Sequence, residues 1–247
     1  MTRPTDRRRR PAGPLPWLRR KAVVAYRLLT DPAFREEWWI GRNRLAGPFQ
    51  GGGRTAFDRY PELFAPLRDQ FDMMDAPRIL SYGCSTGEEL LSLRHYLPRA
   101  RLSGIDVRRA RVDQARRLLD DPSVTLMVGP SLDAAGAGLY DGIVCLSVFQ
   151  HSRLVHEWPI DCRPYLTFEQ FAQGVRDLDR HLAVDGVLLL YHTSFRFIET
   201  DVAARYQPLV CIDPRTPEPR GCYDCRNRPV LEPRAERFAL YRKIASS

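Results

Sequence analysis

Residues 83–89 read GCSTGEE, two glycines bracketing three small polar residues, with two acids immediately after. Such a stretch suits a tight turn. Glycine allows left-handed backbone or close approach of a ligand, and the free N–H groups that open a following helix favour an electron-rich ligand group. Asp106 lies 23 residues beyond Gly83, at the end of the next apolar run. A carboxylate there can accept hydrogen bonds from both hydroxyls of a ribose. Further along are groups able to move a proton: His151, His156, Tyr191 and His192. Arg196 could pair with an anionic substrate, or with Glu199 or Asp201.

Three ligand classes compete for the turn. A nucleoside triphosphate calls for G-x-x-x-x-G-K-[ST], but three residues separate these glycines and Glu88 stands where lysine would. A dinucleotide calls for G-x-G-x-x-G, and position 85 is serine. Phosphates would also meet two acids, Glu88 and Glu89. The third class has a cationic amino-acid end and a ribose, and it welcomes both the acids and Asp106. Taken together, these features select S-adenosylmethionine. Methyl transfer from a sulfonium is an in-line displacement, so positioning dominates, and a base helps when the acceptor is a hydroxyl or an ammonium. His151 is the first candidate and His192 the second. Each is weighed against a packing or hydrogen-bonding role.

The elements that must position these groups begin at Pro77, where apolar runs alternate with amphipathic ones. Strands are expected over 78–83, 101–107, 124–129, 140–149 and 187–193. Between them, Leu90, Leu93 and Leu97 share one helical face, as do Val112, Ala115 and Leu119. Thr167 and Gln170 match a capping box opening a helix that carries Phe168, Phe171, Val175, Leu178 and Leu182. Asp185-Gly186 reads as a turn into the fifth strand. This alternation argues for a parallel sheet covered on both faces. The segments 206–213 and 236–244 read as an antiparallel edge pair.

The strand ends carry a resemblance. GCSTGEE, then GIDV, YDGIVCLSVFQH and HLAVDGVLLL resemble the successive motifs of class I S-adenosylmethionine-dependent methyltransferases over roughly residues 78–195. The resemblance implies a Rossmann-like, doubly wound, seven-stranded sheet with a reversed edge strand. It implies a cofactor site of Tyr82, Gly83, Cys84, Ser85, Thr86, Gly87, Glu88, Asp106, Val107, Ser131, Ser147 and Val148. Within it Gly83–Gly87 would cradle the methionine part, Glu88 meet its amino group and Asp106 hold the ribose. The glycine turn is similar to that of the chemotaxis-receptor glutamate methyltransferases (CheR). Where they carry Arg-Asn this chain has Leu146-Ser147, which counts against receptor-glutamate methylation.

The remaining readings come from composition. At 247 residues and 44% hydrophobic, the chain suits one α/β domain with an appended segment. The expected division is a basic disordered arm over 1–22, a helical cap over 23–75 and the main domain over 76–247. In the cap, Tyr26, Phe34, Trp38, Trp39, Phe49, Phe57, Tyr60, Phe64 and Phe71 are expected to pack in the core around a Gly51–Gly53 break. The net charge of +8 concentrates in the arm, where Arg7–Arg10, Arg19, Arg20 and Lys21 cluster among prolines. Only Lys21 and Lys243 are lysines, which points to composition bias rather than a nucleic-acid patch. No apolar run approaches 18 residues and no secretory leader is evident. A cytoplasmic protein with no membrane partner is therefore expected. Cys222 and Cys225 form a single C-x-x-C, and free thiols without metal are the expected state. A small-molecule oxygen acceptor is the leading expectation. Methylation of protein or RNA by way of the arm, and a non-catalytic cofactor-binding module, are the alternatives.

Overall fold

The computed structural model describes residues 15–31, 34–35, 38, 55–211, 222–230 and 238–246. The chain forms two compact units, Met1–Asn43 and Arg44–Ser247. In the first, helix α1 (Leu15–Thr30) begins inside the stretch expected to be a disordered arm. Pro16 in its first turn has no backbone N–H to waste there. Its end is well closed. The Arg35 guanidinium donates to the Leu28 and Leu29 carbonyls at 2.7 and 3.1 Å, and Asp31 accepts from the Phe34 N–H at 3.0 Å. Residues 1–14 and the Gly51–Gly53 break lie outside the described residues.

The second unit is built on a seven-stranded sheet. Its strands are β1 (Arg78–Tyr82), β2 (Arg101–Asp106), β3 (Thr125–Val128), β4 (Tyr140–Leu146), β5 (Leu182–Tyr191), β6 (Tyr206–Cys211) and β7 (Phe238–Lys243), in the spatial order 3-2-1-4-5-7-6. Strands β1 to β5 are parallel, and β7 runs antiparallel to both β5 and β6. This is a Rossmann-like doubly wound sheet, with order reversal between β1 and β4. The reversed strand is not the outermost one: β7 lies inside, and β6 forms the edge.

Helices α2 (Pro61–Asp69), α3 (Glu88–Tyr96), α4 (Arg109–Leu119), α5 (Leu132–Ala135), α6 (Ser152–Glu157) and α7 (Phe168–His181) clothe the sheet. Successive side chains on a strand face opposite sides, so two cores form. Leu80, Ile143, Cys145 and Leu188 pack with Phe171, Val175 and Leu178 of α7 on one face. Ile79, Val144, Val187 and Leu189 pack with Leu63, Phe64 and Leu67 of α2 and with Leu90 and Leu93 of α3 on the other. Thr167 and Gln170 form the expected reciprocal capping box on α7.

Some expectations need correction. Strand β5 starts at Leu182, five residues early, because Asp185-Gly186 is an irregularity within it. Asp185 adopts φ +65°, and the register jumps from Tyr140↔Leu182 to Gly142↔Val187. Short α5 and α6 are absent from the sequence reading, being too brief to show a period. Of the N-terminal aromatics, Tyr60, Phe64 and Phe71 are buried, whereas Phe57 and Tyr26 are exposed and Trp38 only partly covered. Trp39 and Phe49 lie outside the described residues. Cys84, Cys145 and Cys162 are buried, Cys222 is half-buried and Cys225 exposed; for Cys211 no side chain is described.

One buried ionic cluster ties α7 to β6 and β7. The Asp179 carboxylate accepts from Arg205 at 2.6 Å and from the Tyr206 hydroxyl at 2.9 Å, and lies 3.2 Å from Lys243 Nζ. Lys243 also donates to the Asp179 and Leu182 carbonyls at 2.6 and 3.1 Å.

Candidate functional site

In an open α/β sheet, ligands bind beyond the carboxyl ends of the strands, where the order reverses. Here that place is the crevice end of β1 and β4, and several left-handed residues lie there. Gly83 and Gly87 have φ of +82° and +100°. Ser85, Ser147 and His192 are left-handed although they are not glycine, at +50°, +60° and +54°. Such non-glycine conformations cluster at functional sites.

The turn after β1 is welded to β2. The Gly83 and Cys84 N–H groups both donate to the Ile105 carbonyl, at 2.8 and 3.0 Å, and Gly87 donates to Cys84 at 3.0 Å. Gly83 cannot carry a side chain: an added Cβ would sit 2.4 Å from Val148 Cγ2. Gly87 ends the turn at the N-cap of α3, where an added Cβ would meet Ala115 of α4 at 3.1 Å. Tyr82 and Cys84 turn inward. The Tyr82 ring stacks on Phe149 at 5.9 Å, and Cys84 packs beneath Gly104. These two therefore offer a ligand their backbone alone. Thr86 donates to Glu88 at 2.6 Å, which holds that carboxylate at the turn.

Asp106 ends β2 with its carboxylate buried. One oxygen accepts from the Ser85 N–H at 3.1 Å and the other from the Arg108 N–H at 2.8 Å. An ionised carboxylate has about four acceptor sites, so two backbone donors fix its direction and leave acceptor capacity. Val107 follows, partly exposed. Ser131 lies beyond β3, where its hydroxyl caps α5 by accepting from the Ala134 N–H at 3.1 Å.

A second polar cluster crowns β4 and β5. The Tyr60 hydroxyl lies 3.2 Å from Ser147 Oγ and 3.0 Å from His192 Nδ1, which are 3.3 Å apart. The His192 ring stacks on Tyr191 at 4.1 Å, and Tyr60 meets both rings edge-on at 5.4 Å. Burial, helped by the charge of Arg59, pushes His192 down to about 4, so the imidazole is neutral at pH 7. The Tyr60 phenol is raised by burial. This arrangement is uncharged and hydrogen-bonded, suited to orienting an acceptor rather than storing a proton.

His151 is elsewhere. It caps α6, its Nδ1 accepting from the Arg153 N–H at 3.3 Å, and its ring lies on Tyr165 at 5.3 Å. Burial and the Arg153 charge lower its proton affinity. His156 is exposed on α6. Arg196 is held by an ion pair with Glu199, while Asp201 pairs with Arg176 at 3.0 Å.

Tyr60 and Glu89 escape sequence reading. Tyr60 lies 132 residues from His192 in the chain, and no local pattern links them. Glu89 looks like a first-turn partner of the helix dipole, yet its carboxyl turns inward and accepts from Ser81 Oγ at 2.7 Å. Burial raises Glu89 to about 8 from an ordinary 4.5, against the opposing effect of that hydrogen bond. Between those values the folded chain keeps a proton that the unfolded chain has lost. Stability from the neutral carboxyl is thus complete below about pH 4.5 and drains away as pH rises through 8. Glu89→Gln keeps an acceptor for Ser81 and has no proton to lose. It is expected to gain on wild type as pH rises from about 5 to about 8.5, by at most about 1.4 kcal/mol per pH unit. Urea denaturation across that range checks it, and a pH-independent difference would refute it.

No protein-family model matches the chain, and no curated protein matches it in sequence. Among solved structures it is similar to the plantazolicin methyltransferase BpumL in complex with SAH, at 20% identity over 70% of this chain and 58% of that one, TM-score 0.39. It is similar also to CalS10, an amino pentose methyltransferase from Micromonospora echinaspora, at 22% over 64% and 58%, TM-score 0.42. A third is PKMT2 from Rickettsia typhi, at 17% over 56% and 26%, TM-score 0.42. The chain thus spans less than two thirds of each, and likeness this distant carries no functional argument.

Proposed function

We propose that the protein is a cytoplasmic S-adenosylmethionine-dependent methyltransferase that acts on a small-molecule acceptor, with oxygen as the acceptor atom. The observation that carries this reading is the pairing of the Gly83–Gly87 turn with Asp106. A left-handed glycine turn and a buried carboxylate, linked through the Ser85 N–H, stand side by side at the ends of adjacent parallel strands. In this reading the turn's backbone takes the methionine end, Glu88 its amino group and Asp106 the ribose hydroxyls. Val107, Ser131, Ser147 and Val148 border the rest.

The bound group supplies a sulfonium methyl; the chain's own task is to bring an acceptor atom into line with it. Tyr60, Ser147 and His192 mark where that acceptor docks, over β4 and β5. His192, neutral at pH 7, then serves as a hydrogen-bond partner that orients the acceptor. His151, occupied as a cap, stands as the base candidate if the acceptor hydroxyl must lose a proton.

Calorimetric titration of S-adenosylmethionine and S-adenosylhomocysteine into wild type and Asp106→Ala tests this. Micromolar binding that weakens at least tenfold in the variant, about 1.4 kcal/mol, is expected. Folded wild-type protein that binds neither ligand would overturn the reading.

A further inference from the structure

A neutral imidazole takes a proton only on its bare nitrogen, the one able to accept a hydrogen bond. In His151 that nitrogen is Nδ1, because it accepts from the Arg153 N–H at 3.3 Å and a backbone N–H can only donate. His192 reaches the same state by a count of hydrogens. Its Nδ1, the Tyr60 hydroxyl and Ser147 Oγ form a triangle with sides of 3.0, 3.2 and 3.3 Å, and Tyr60 and Ser147 are buried. With Nδ1 bare, Tyr60 donates to it and Ser147 donates to Tyr60, so both hydroxyl hydrogens have acceptors. With a proton on Nδ1, one of those hydrogens has none, and a buried donor without an acceptor is destabilising. His192 therefore carries its hydrogen on Nε2, which has no hydrogen-bond partner among the described residues.

The neighbouring groups are no better as bases. The Tyr60 and Tyr191 phenols are raised by burial and keep their protons. The Glu89 carboxyl, also raised by burial, is turned to Ser81. None of these groups presents a bare basic atom to an acceptor. What the site does hold is positive charge. The Arg59 guanidinium lies 4.9 Å from the centre of the Tyr60 ring and acts electrostatically on Tyr60, His192 and Glu89. The exposed Glu62 acts on Tyr60 more weakly than Arg59 does.

We propose that the acceptor reaches this site already ionised, as a carboxylate or an acidic phenolate, and that the His192 Nε2–H donates to that oxyanion. The inference rests on the methyltransferase reading and narrows its acceptor. A neutral alcohol would need a base that these groups do not supply. An oxyanion needs only a donor and a nearby cation, and hydrogen bonds to a charged oxygen are about twice as strong as neutral ones. The transfer then balances without a proton. A lone pair of the oxyanion forms the bond to the methyl carbon, and the carbon–sulfur bond breaks with its pair left on sulfur. The negative charge of the acceptor and the positive charge of the sulfonium cancel.

The chain has only five histidines, so nitrogen NMR of the imidazole rings in the full chain tests this directly. His151→Gln and His192→Asn assign the signals, and asparagine tolerates the left-handed backbone that His192 adopts. At pH 7 both rings are expected to be neutral, with the proton on Nε2. A proton on Nδ1 of either ring, or a charged His192, overturns the proposal. With S-adenosylhomocysteine bound, acetate, 4-nitrophenolate and neutral acetamide are then titrated in turn. A saturable shift of the His192 Nε2 signal with at least one anion, and none with acetamide, is expected. Whichever anion binds more tightly tells carboxylate from phenolate. Followed on its own proton signals, that anion should bind His192→Asn at least tenfold more weakly. No shift with either anion, an equal shift with acetamide, or unchanged affinity in the variant overturns the proposal. Folded protein that does not bind S-adenosylhomocysteine is the failure of the methyltransferase reading; bound S-adenosylhomocysteine with no response to either anion is the failure of this one alone.

Discussion

Asp179→Ala is expected to cost about 3 to 5 kcal/mol, the range for stripping one partner from a buried ion pair. In a chain of this size that lowers Tm by on the order of 10 °C. The Asp179 and Lys243 side chains are only 2% and 4% exposed, so neither charge has water to fall back on. The two carbonyls that Lys243 also reaches can accept its protons but cannot neutralise its charge. Removing the carboxylate leaves a buried ammonium, the Tyr206 hydroxyl without its acceptor, and Arg205 without the group it reaches at 2.6 Å. Asp179→Leu combined with Lys243→Met removes both charges together and should recover most of the loss, because the penalty lies in the uncompensated charge. Thermal melts of wild type and both variants decide the matter. A single variant within about 1 kcal/mol of wild type would mean the site hydrates on its own.

Gly83→Ala has the second large effect, and it acts on the candidate cofactor site directly. Two costs add. Left-handed backbone costs a residue bearing a Cβ about 1 to 2 kcal/mol, and forcing a methyl against packed atoms costs about 1 to 3 kcal/mol. The methyl would lie 2.4 Å from Val148 Cγ2, so either Val148 shifts or the turn does. Both movements displace groups assigned to the cofactor, and S-adenosylhomocysteine binding should fall with stability. Adding Val148→Ala relieves the collision and leaves the conformational cost. The double variant should therefore regain only part of the stability. Full recovery would show that the left-handed conformation is not required, and no loss in Gly83→Ala would remove the turn's rationale.

Much of this architecture is legible in the sequence. Five parallel strands, the longer helices α3, α4 and α7 between them and the antiparallel pair at the end are readable in the sequence, the helices from their periodicity. The Thr167–Gln170 capping box is readable because its chemistry is contained within four residues. The turn and Asp106 are readable for a similar reason: each lies next to the strand end that positions it. What local patterns do not show is what arrives from afar. Tyr60 reaches Ser147 and His192 because α2 packs on the sheet, a matter of tertiary packing. Glu89 reads as solvated because helix position alone does not say which way a first-turn side chain points. Likewise His151 reads as a base candidate from its place after β4, and only the folded chain shows that its Nδ1 also caps α6.

The place of β7 has a consequence for the order in which the molecule can be completed during synthesis. Among the described residues, strand β6 hydrogen-bonds with β7 and not with the parallel strands made before it. Once residue 211 has been made, β6 has nothing to pair with until Phe238–Lys243 follow. Those six residues then close two ladders at once, on β5 and on β6. Until that moment β5 presents a bare hydrogen-bonding edge, the kind of surface on which nascent chains pair with one another. The last step of assembly thus sets both the completeness of the sheet and the length of time its most adhesive edge stays open.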